Sequence, residues 1–235
     1  MKWLREYEFY TGEKKKSGSI SVTELSGDDM LQMVLRRKFD VPKDDKIGQN
    51  TLGSIFDIGM RNVAAQSSIL SMSRVKKVLD NGWILSGEGD LCDDEQKIIY
   101  DVKLTKIYAL EQFRKNPNNH QYTKQLNYYR LLYGKEDYNL FLMWFLKDQT
   151  EAKLDHPREA LVTTEVPKLD EKELLKYAIE RTSELEVQLD VDVSKDAKCS
   201  DVWGGNRCKF YCDVKEVCPY AKSKGYANQM EALRW

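Results

Sequence analysis

The stretch GEGDLCDDEQKIIYDVKLT, from Gly87 to Thr105, sets Asp90, Asp101 and Lys103 in and after two short apolar runs. Side chains alternate across a strand, so residues two apart share a face. Asp101 and Lys103 therefore point one way, and Tyr100, Val102 and Leu104 the other. Asp90 falls near the end of the preceding run, within reach if the two runs pair as a hairpin. Two carboxylates converging on one point repel and raise each other's pKa. A divalent cation between them removes that penalty, and hard oxygen donors suit Mg²⁺ or Mn²⁺. Such an ion lowers the pKa of bound water and holds a phosphate oxygen. With the Lys103 ammonium alongside, the triple reads as a candidate for metal-assisted phosphodiester hydrolysis. The plainer alternative is an exposed strand face carrying an Asp–Lys pair. Gly87 and Gly89 flank Glu88. Glycine weakens a strand and marks close approach by another group.

A scaffold must position these residues, and 235 residues suffice for one large domain or a domain with a small appendage. Hydrophobic residues at 41% and charged residues at 32% describe an ordinary soluble chain. No apolar run approaches the roughly 20 residues that span a bilayer. The opening MKWLREYEFYTGEKKK has no apolar signal-peptide core, so a cytoplasmic protein without membrane association is expected. A net charge of −1 excludes a globally basic nucleic-acid binder but leaves room for a local basic track. The two histidines, His120 and His156, fall in predicted loops, which argues against a His-centred triad or a His-rich metal site.

The pattern predicts a short strand in SISVTEL (19–25), then a helix in SGDDMLQMVLRRKFD with Ser26 or Asp28 as N-cap. An amphipathic helix is expected over 51–66, with Leu52, Ile55, Phe56, Met60 and Val63 as its apolar stripe and Asp57 on the flank. Residues 83–91 and 97–105 read as an antiparallel hairpin joined by a short acidic connection. A helix follows within 118–134, a central strand at 138–146 and another strand at 159–167. The segment 169–189 reads as a long helix with Asp170 as N-cap and Glu173 at N3. This order fits a mixed sheet flanked by helices, the α/β class.

Cysteine usage is uneven: Cys92 stands alone, while Cys199, Cys208, Cys212 and Cys218 fall within 20 residues of one another. In a cytoplasmic chain that grouping points to a metal or iron–sulfur site rather than disulfides. Four thiolates with an apolar shell of Trp203, Phe210, Tyr211 and Pro219 suit a [4Fe–4S] cluster and equally a structural Zn²⁺. Cys92 is a weaker candidate for the fourth ligand than Cys199. The expected organisation is a core over 1–190 and a Cys-rich segment over 191–235 packed on it.

The ordered motifs GEGD, DVK and QLNYY resemble the PD-(D/E)XK nuclease superfamily, and within it the RecB-like exonucleases. The resemblance runs over roughly residues 19–220 and implies a restriction-endonuclease-like fold. It implies catalytic roles for Asp90, Asp101, Lys103, Gln125 and Tyr129. Gln125 and Tyr129 are four apart on one predicted helix face, which a core-facing polar pair would also satisfy. Where the family carries LG-x-x-x-H with a metal-binding His, this chain has LGSIFD, so Asp57 is either a third metal ligand with Asp90 and Asp101 or a surface acid. Iron–sulfur nucleases of the group end in a cysteine cluster usually spaced C-x2-C-x5-C. Here the corresponding spacing is C-x3-C-x5-C, and the relatives' far-upstream first ligand has no counterpart. The preference for iron–sulfur over zinc rests on the resemblance.

What the resemblance implies is a metal-dependent DNA exonuclease acting on single strands or free ends in phage or bacterial recombination, repair or replication. A helicase or recombination partner belongs to the same expectation. The alternative is a DNA-binding or assembly module that keeps the fold without cutting. Lys106, Arg207 and Lys209 are the candidate phosphate contacts, with Arg74, Lys76 and Lys77 as further ones.

Overall fold

The computed structural model describes residues 18–27, 29–39, 41, 47–66, 69–148, 159–194, 196–200 and 205–226. Within these, the side chains of 47–54, 57, 210 and 211 are outside the description. The described residues begin with strand β1 (Ser19–Ser21) and two helices, α1 (Val22–Gly27) and α2 (Met30–Phe39). Helix α3 (Ile47–Ala64) leads to the short strands β2 (Ile69–Ser71), β3 (Val75–Val78), β4 (Ile84–Gly87) and β5 (Leu91–Asp93). Then come β6 (Ile98–Thr105), α4 (Ile107–Lys115), α5 (Gln121–Leu132), β7 (Asn139–Leu146), β8 (Leu161–Val166), the long α6 (Glu171–Asp190) and a final turn of helix, α7 (Pro219–Ser223).

The strands form two sheets, β1-β4-β3 and β2-β5-β6-β7-β8. The β1–β4 and β6–β7 pairs are parallel, and the others antiparallel. The hairpin expected over 83–105 is therefore only half right. Its second strand is β6, but its first breaks at Gly87 into β4 of the small sheet and β5 of the large one. Residues 88–90 cross between the sheets. The hairpin proper is β5–β6, closed by a turn at residues 94–97 in which Lys97 takes φ 55°.

Strand β7 is central, as its composition requires. Leu140, Leu142, Trp144 and Leu146 face a core shared with Ile99 of β6 and with Ile107, Leu110 and Phe113 of α4. On its other face Phe145 meets Phe56 of α3 edge-on, with ring centroids 4.7 Å apart. A second core joins Ile20, Val22, Leu25 and Met33 to Trp83, Leu85, Tyr128 and Tyr129, with Leu174, Ala178 and Leu185 of α6 closing it. Helix α5 belongs to both, through Leu126 on one side and Tyr128 and Tyr129 on the other. Its buried Asn127 and Tyr128 side chains are matched. Asn127 donates to the carbonyls of Thr123 and Pro167 and accepts from the Leu169 amide. The Tyr128 hydroxyl donates to the Leu174 carbonyl at 2.9 Å. Unmatched groups at such depth would cost about 1–3 kcal/mol each.

Several expectations shift. Helix α1 contains Ser26, and it is Asp29 Oδ1 that accepts from the Leu31 amide at the start of α2, while Asp28 lies outside the described residues. The expected apolar stripe of α3 is only partly covered: Phe56 and Met60 face inward, whereas Ile55 and Val63 are more than half exposed. Helix α4 was not legible because its cap is remote. Asp148 Oδ1, 41 residues on, accepts from the Ile107 amide at 2.8 Å.

The C-terminal segment does not form a distinct Cys-rich unit among the described residues. It is sewn to α2: Asp213 accepts from Gln32 Nε2 at 2.8 Å and Arg36 Nε at 2.6 Å, and Arg207 donates to Gln32 Oε1 at 3.0 Å. Cys212, Val214, Cys218 and Ala221 bury against Leu35 of the same helix.

The glycines around Glu88 find their cause in this packing. A Cβ on Gly87 would sit 2.8 Å from both the Tyr129 ring and Val22 Cγ2, and one on Gly89 would sit 2.6 Å from Met72 Sδ. The close approach is by the chain's own side chains. Gly87→Ala is expected to lower the unfolding free energy by about 1–3 kcal/mol through overpacking. Urea titration of the two proteins checks this, and equal midpoints would contradict it.

Candidate functional site

The β5–β6 ladder pairs Leu91 with Tyr100 and Cys92 with Ile99. Continued by one residue, this register sets Asp90 opposite Asp101. The crossover after Gly87 is what brings Asp90 to that position. Asp90 Oδ2 accepts from the Val102 amide at 2.7 Å, which fixes its carboxylate against β6. Asp101 is 1% exposed. Its Oδ2 pairs with Lys103 Nζ at 2.5 Å, a charge-assisted contact that uses one of the oxygen's lone pairs.

Lys103 is held from three sides. Besides Asp101, its ammonium lies 3.4 Å from Gln125 Oε1 and 4.7 Å from the centre of the Tyr122 ring. Gln125 Nε2 in turn bonds the Tyr129 hydroxyl at 2.9 Å and lies 3.5 Å from Thr23 Oγ1 of α1. Burial works to lower the Lys103 pKa, but the Asp101 and Asp90 carboxylates outweigh it and the net shift is upward. Lys103 is therefore an ammonium throughout the neutral range. Burial, reinforced by Asp101, pushes the Tyr129 phenol up to about 12, so it too stays protonated.

One cavity of about 460 Å³ collects Asp90, Asp101, Lys103, Gln125 and Tyr129. Five side chains singled out by motif thus meet in one place. Phe56, Met60 and Arg61 of α3 border the same cavity, while the side chain of Asp57 lies outside the described residues. Sequence reasoning missed Thr23, Arg61, Glu88 and Tyr122, which also line it. Tyr122 had a readable signal, since it stands three positions before Gln125 on the same helix.

Among the described residues, no group of three His, Cys, Asp or Glu side chains is gathered as a metal site. The donor chemistry at the cavity nevertheless fits a hard divalent cation: a fixed carboxylate on Asp90 and a buried one opposite it on Asp101. The cysteines are all free thiols. Burial raises the pKa of Cys208 and pushes that of Cys212 up to about 11, with neighbouring thiols adding to both shifts. Cys199 rises to about 12 through burial and the nearby Asp29 carboxylate, toward which it turns.

The three candidate phosphate contacts divide. Lys106 is exposed beside Thr105 at the cavity rim. Arg207 instead lines a separate trough beside α2 and the end of α6, and Lys209 stacks over the Tyr226 ring at 5.0 Å.

No family model matches the sequence, and no curated protein matches it. Solved structures do share its fold. The crystal structure of SSO0001 aligns over 92% of this chain and 93% of its own, with a TM-score of 0.61 at 19% identity. An alkaline exonuclease, LHK-Exo from Laribacter hongkongensis, aligns over 74% of this chain and 91% of its own, with a TM-score of 0.50 at 10% identity. The fold is mixed α/β, with sheets flanked by helices. At these identities the fold is what is shared. No described helix is long and apolar enough to cross a membrane.

The charge balance around Lys103 yields a directional expectation. Asp101→Asn removes the nearer of the carboxylates that oppose burial, so the Lys103 pKa should fall. NMR titration of the ¹³Cε-labelled lysines checks it, and an unchanged Lys103 titration would contradict this account.

Proposed function

We propose that the chain is a divalent-metal-dependent deoxyribonuclease of the RecB-like PD-(D/E)XK type, acting on single strands or free DNA ends. The observation that carries this reading is the continued β5–β6 register, which sets Asp90 opposite Asp101 in one cavity with the half-buried ammonium of Lys103. Fold likeness to a protein described as an alkaline exonuclease adds support.

Asp90 and Asp101, with Asp57 from α3, would hold Mg²⁺ or Mn²⁺. The ion would supply Lewis-acid stabilisation of a phosphoryl oxygen and a bound water of lowered pKa. The protein's own part is positional and electrostatic. Lys103, fixed by Asp101, Gln125 and the Tyr122 ring, presents a permanent positive charge where negative charge builds on the phosphorane oxygens. Its part is that of a positively charged hydrogen-bond donor. Gln125 positions Lys103, and Tyr129 positions Gln125. The buried ring of Tyr129 also fills the space left by Gly87, which ties the catalytic helix to the crossover that carries Asp90.

Cys199, Cys208, Cys212 and Cys218 would bind a [4Fe–4S] cluster or a structural Zn²⁺ that braces the C-terminal segment against α2. What supports this is that Cys212 and Cys218 share one apolar cluster against α2 and that Cys208 is close enough to act on the Cys212 thiol. Metal analysis and absorbance of an anaerobic preparation separate iron from zinc. A preparation with neither would remove this part of the reading while leaving the cavity's role standing. A cytoplasmic setting in phage or bacterial recombination, repair or replication, with a helicase or recombination partner, completes the proposal.

Asp90→Asn, Asp101→Asn and Lys103→Ala should each lower hydrolysis of single-stranded DNA by about 10²-fold or more, as loss of a charge-stabilising group does. Chelation of divalent ions should abolish it. Circular dichroism establishes that each variant is folded. Undiminished cleavage by any folded variant, or by the chelated wild type, contradicts the proposal.

A further inference from the structure

Glu88 is an odd residue to find at a site for polyanions. It lines the same cavity as Asp90 and Asp101, and a lone carboxylate there would repel phosphate. It is not alone. Arg61 of α3 pairs with its Oε1 at 3.1 Å, and Arg74 Nε lies 3.5 Å from its Oε2. One carboxylate between two guanidiniums leaves a net charge of +1. A guanidinium carries five N–H donors, so pairing with Glu88 is compatible with binding a phosphate oxygen as well.

The placement is tightly set. The Gly89 amide donates to the Tyr133 hydroxyl at 3.2 Å, and that hydroxyl donates to the Ser73 carbonyl. Tyr133 thereby ties the residue before Arg74 to the residue after Glu88. The β3–β4 ladder pairs Val75 with Gly87, and continuing it by one residue sets Arg74 opposite Glu88. By alternation Lys76 lies on the same face as Arg74, and it is exposed. From Arg61 of α3 at the cavity, a basic path thus runs by way of Glu88 to Arg74 and on to Lys76 on that face of the small sheet.

We propose that Arg61 and Arg74, bridged by Glu88, form a clamp for the phosphodiester next to the scissile one, and that the strand leaves the site over the face of the small sheet bearing Lys76. Glu88 serves as the clamp's resident anion. It keeps both guanidiniums pointed at the cavity mouth before substrate arrives and moderates their grip once it does. This rests on the nuclease reading for the identity of the scissile phosphate, but not for the clamp's own affinity.

The test is binding of a fluorescein-labelled single-stranded oligonucleotide to the full chain in EDTA, where nothing is cut, across a series of salt concentrations. Arg61→Gln and Arg74→Gln should each weaken binding, and each should reduce the slope of log affinity against log salt by about 0.7, the value for one single-strand phosphate contact. Arg61→Lys should keep the slope. Glu88→Gln should tighten binding several-fold. In Mg²⁺, the Arg→Gln variants should raise KM and leave kcat within a few-fold. Unchanged affinity and slope in both Arg→Gln variants would overturn the clamp even if the wild type cuts DNA. So would a Glu88→Gln protein that binds normally but no longer cuts, which would place Glu88 among the metal ligands instead. A wild type that binds with the predicted slopes and cuts nothing would uphold the clamp and remove the nuclease reading.

Discussion

A buried ammonium must be matched by negative charge, because desolvation otherwise forces it to shed its proton. Lys103 sits in that position, with Asp101 at 2.5 Å and Asp90 close enough to add to the shift. Two carboxylates against one ammonium leave these three groups with a net charge of −1, which favours a bound cation beside them. Gln125, Tyr122 and the Val102 amide hold these three groups in place.

Two pieces of backbone do most of the holding. The crossover at residues 88–90 lets one segment serve both sheets, with Glu88 on one side and Asp90 on the other. Helix α5 backs the crossover from beneath. Its Tyr129 ring presses on Gly87, while its Gln125 and Tyr122 reach Lys103. Because α5 is buried on most sides and its Asn127 ties it to the segment after β8, these contacts are rigid ones. Preorganisation of this kind is what gives fixed charges their value in a site with little water.

What could be read from the sequence was local. Alternation in IIYDVKLT places Asp101 and Lys103 on one face, and the i, i+4 spacing of Gln125 and Tyr129 anticipates their 2.9 Å hydrogen bond. Asp170 caps α6 by accepting from the Glu173 amide, as the local pattern requires. What escaped was set at long range. The break at Gly87 follows from a tyrosine 42 residues away. The start of α4 depends on Asp148, and Glu88 acquires its partners from α3 and from the approach to β3. Even the exposed Ile55 and Val63 of α3 reflect which neighbours the fold supplies, since their spacing alone matches a buried stripe.

Diffraction from crystals soaked in Mn²⁺, read at the manganese absorption edge, tests the central claim most directly. The account predicts one anomalous peak between the Asp90 and Asp101 carboxylates, within coordination distance of both, and its loss in Asp101→Asn. Manganese bound elsewhere, with no peak shared by those two side chains, would contradict it.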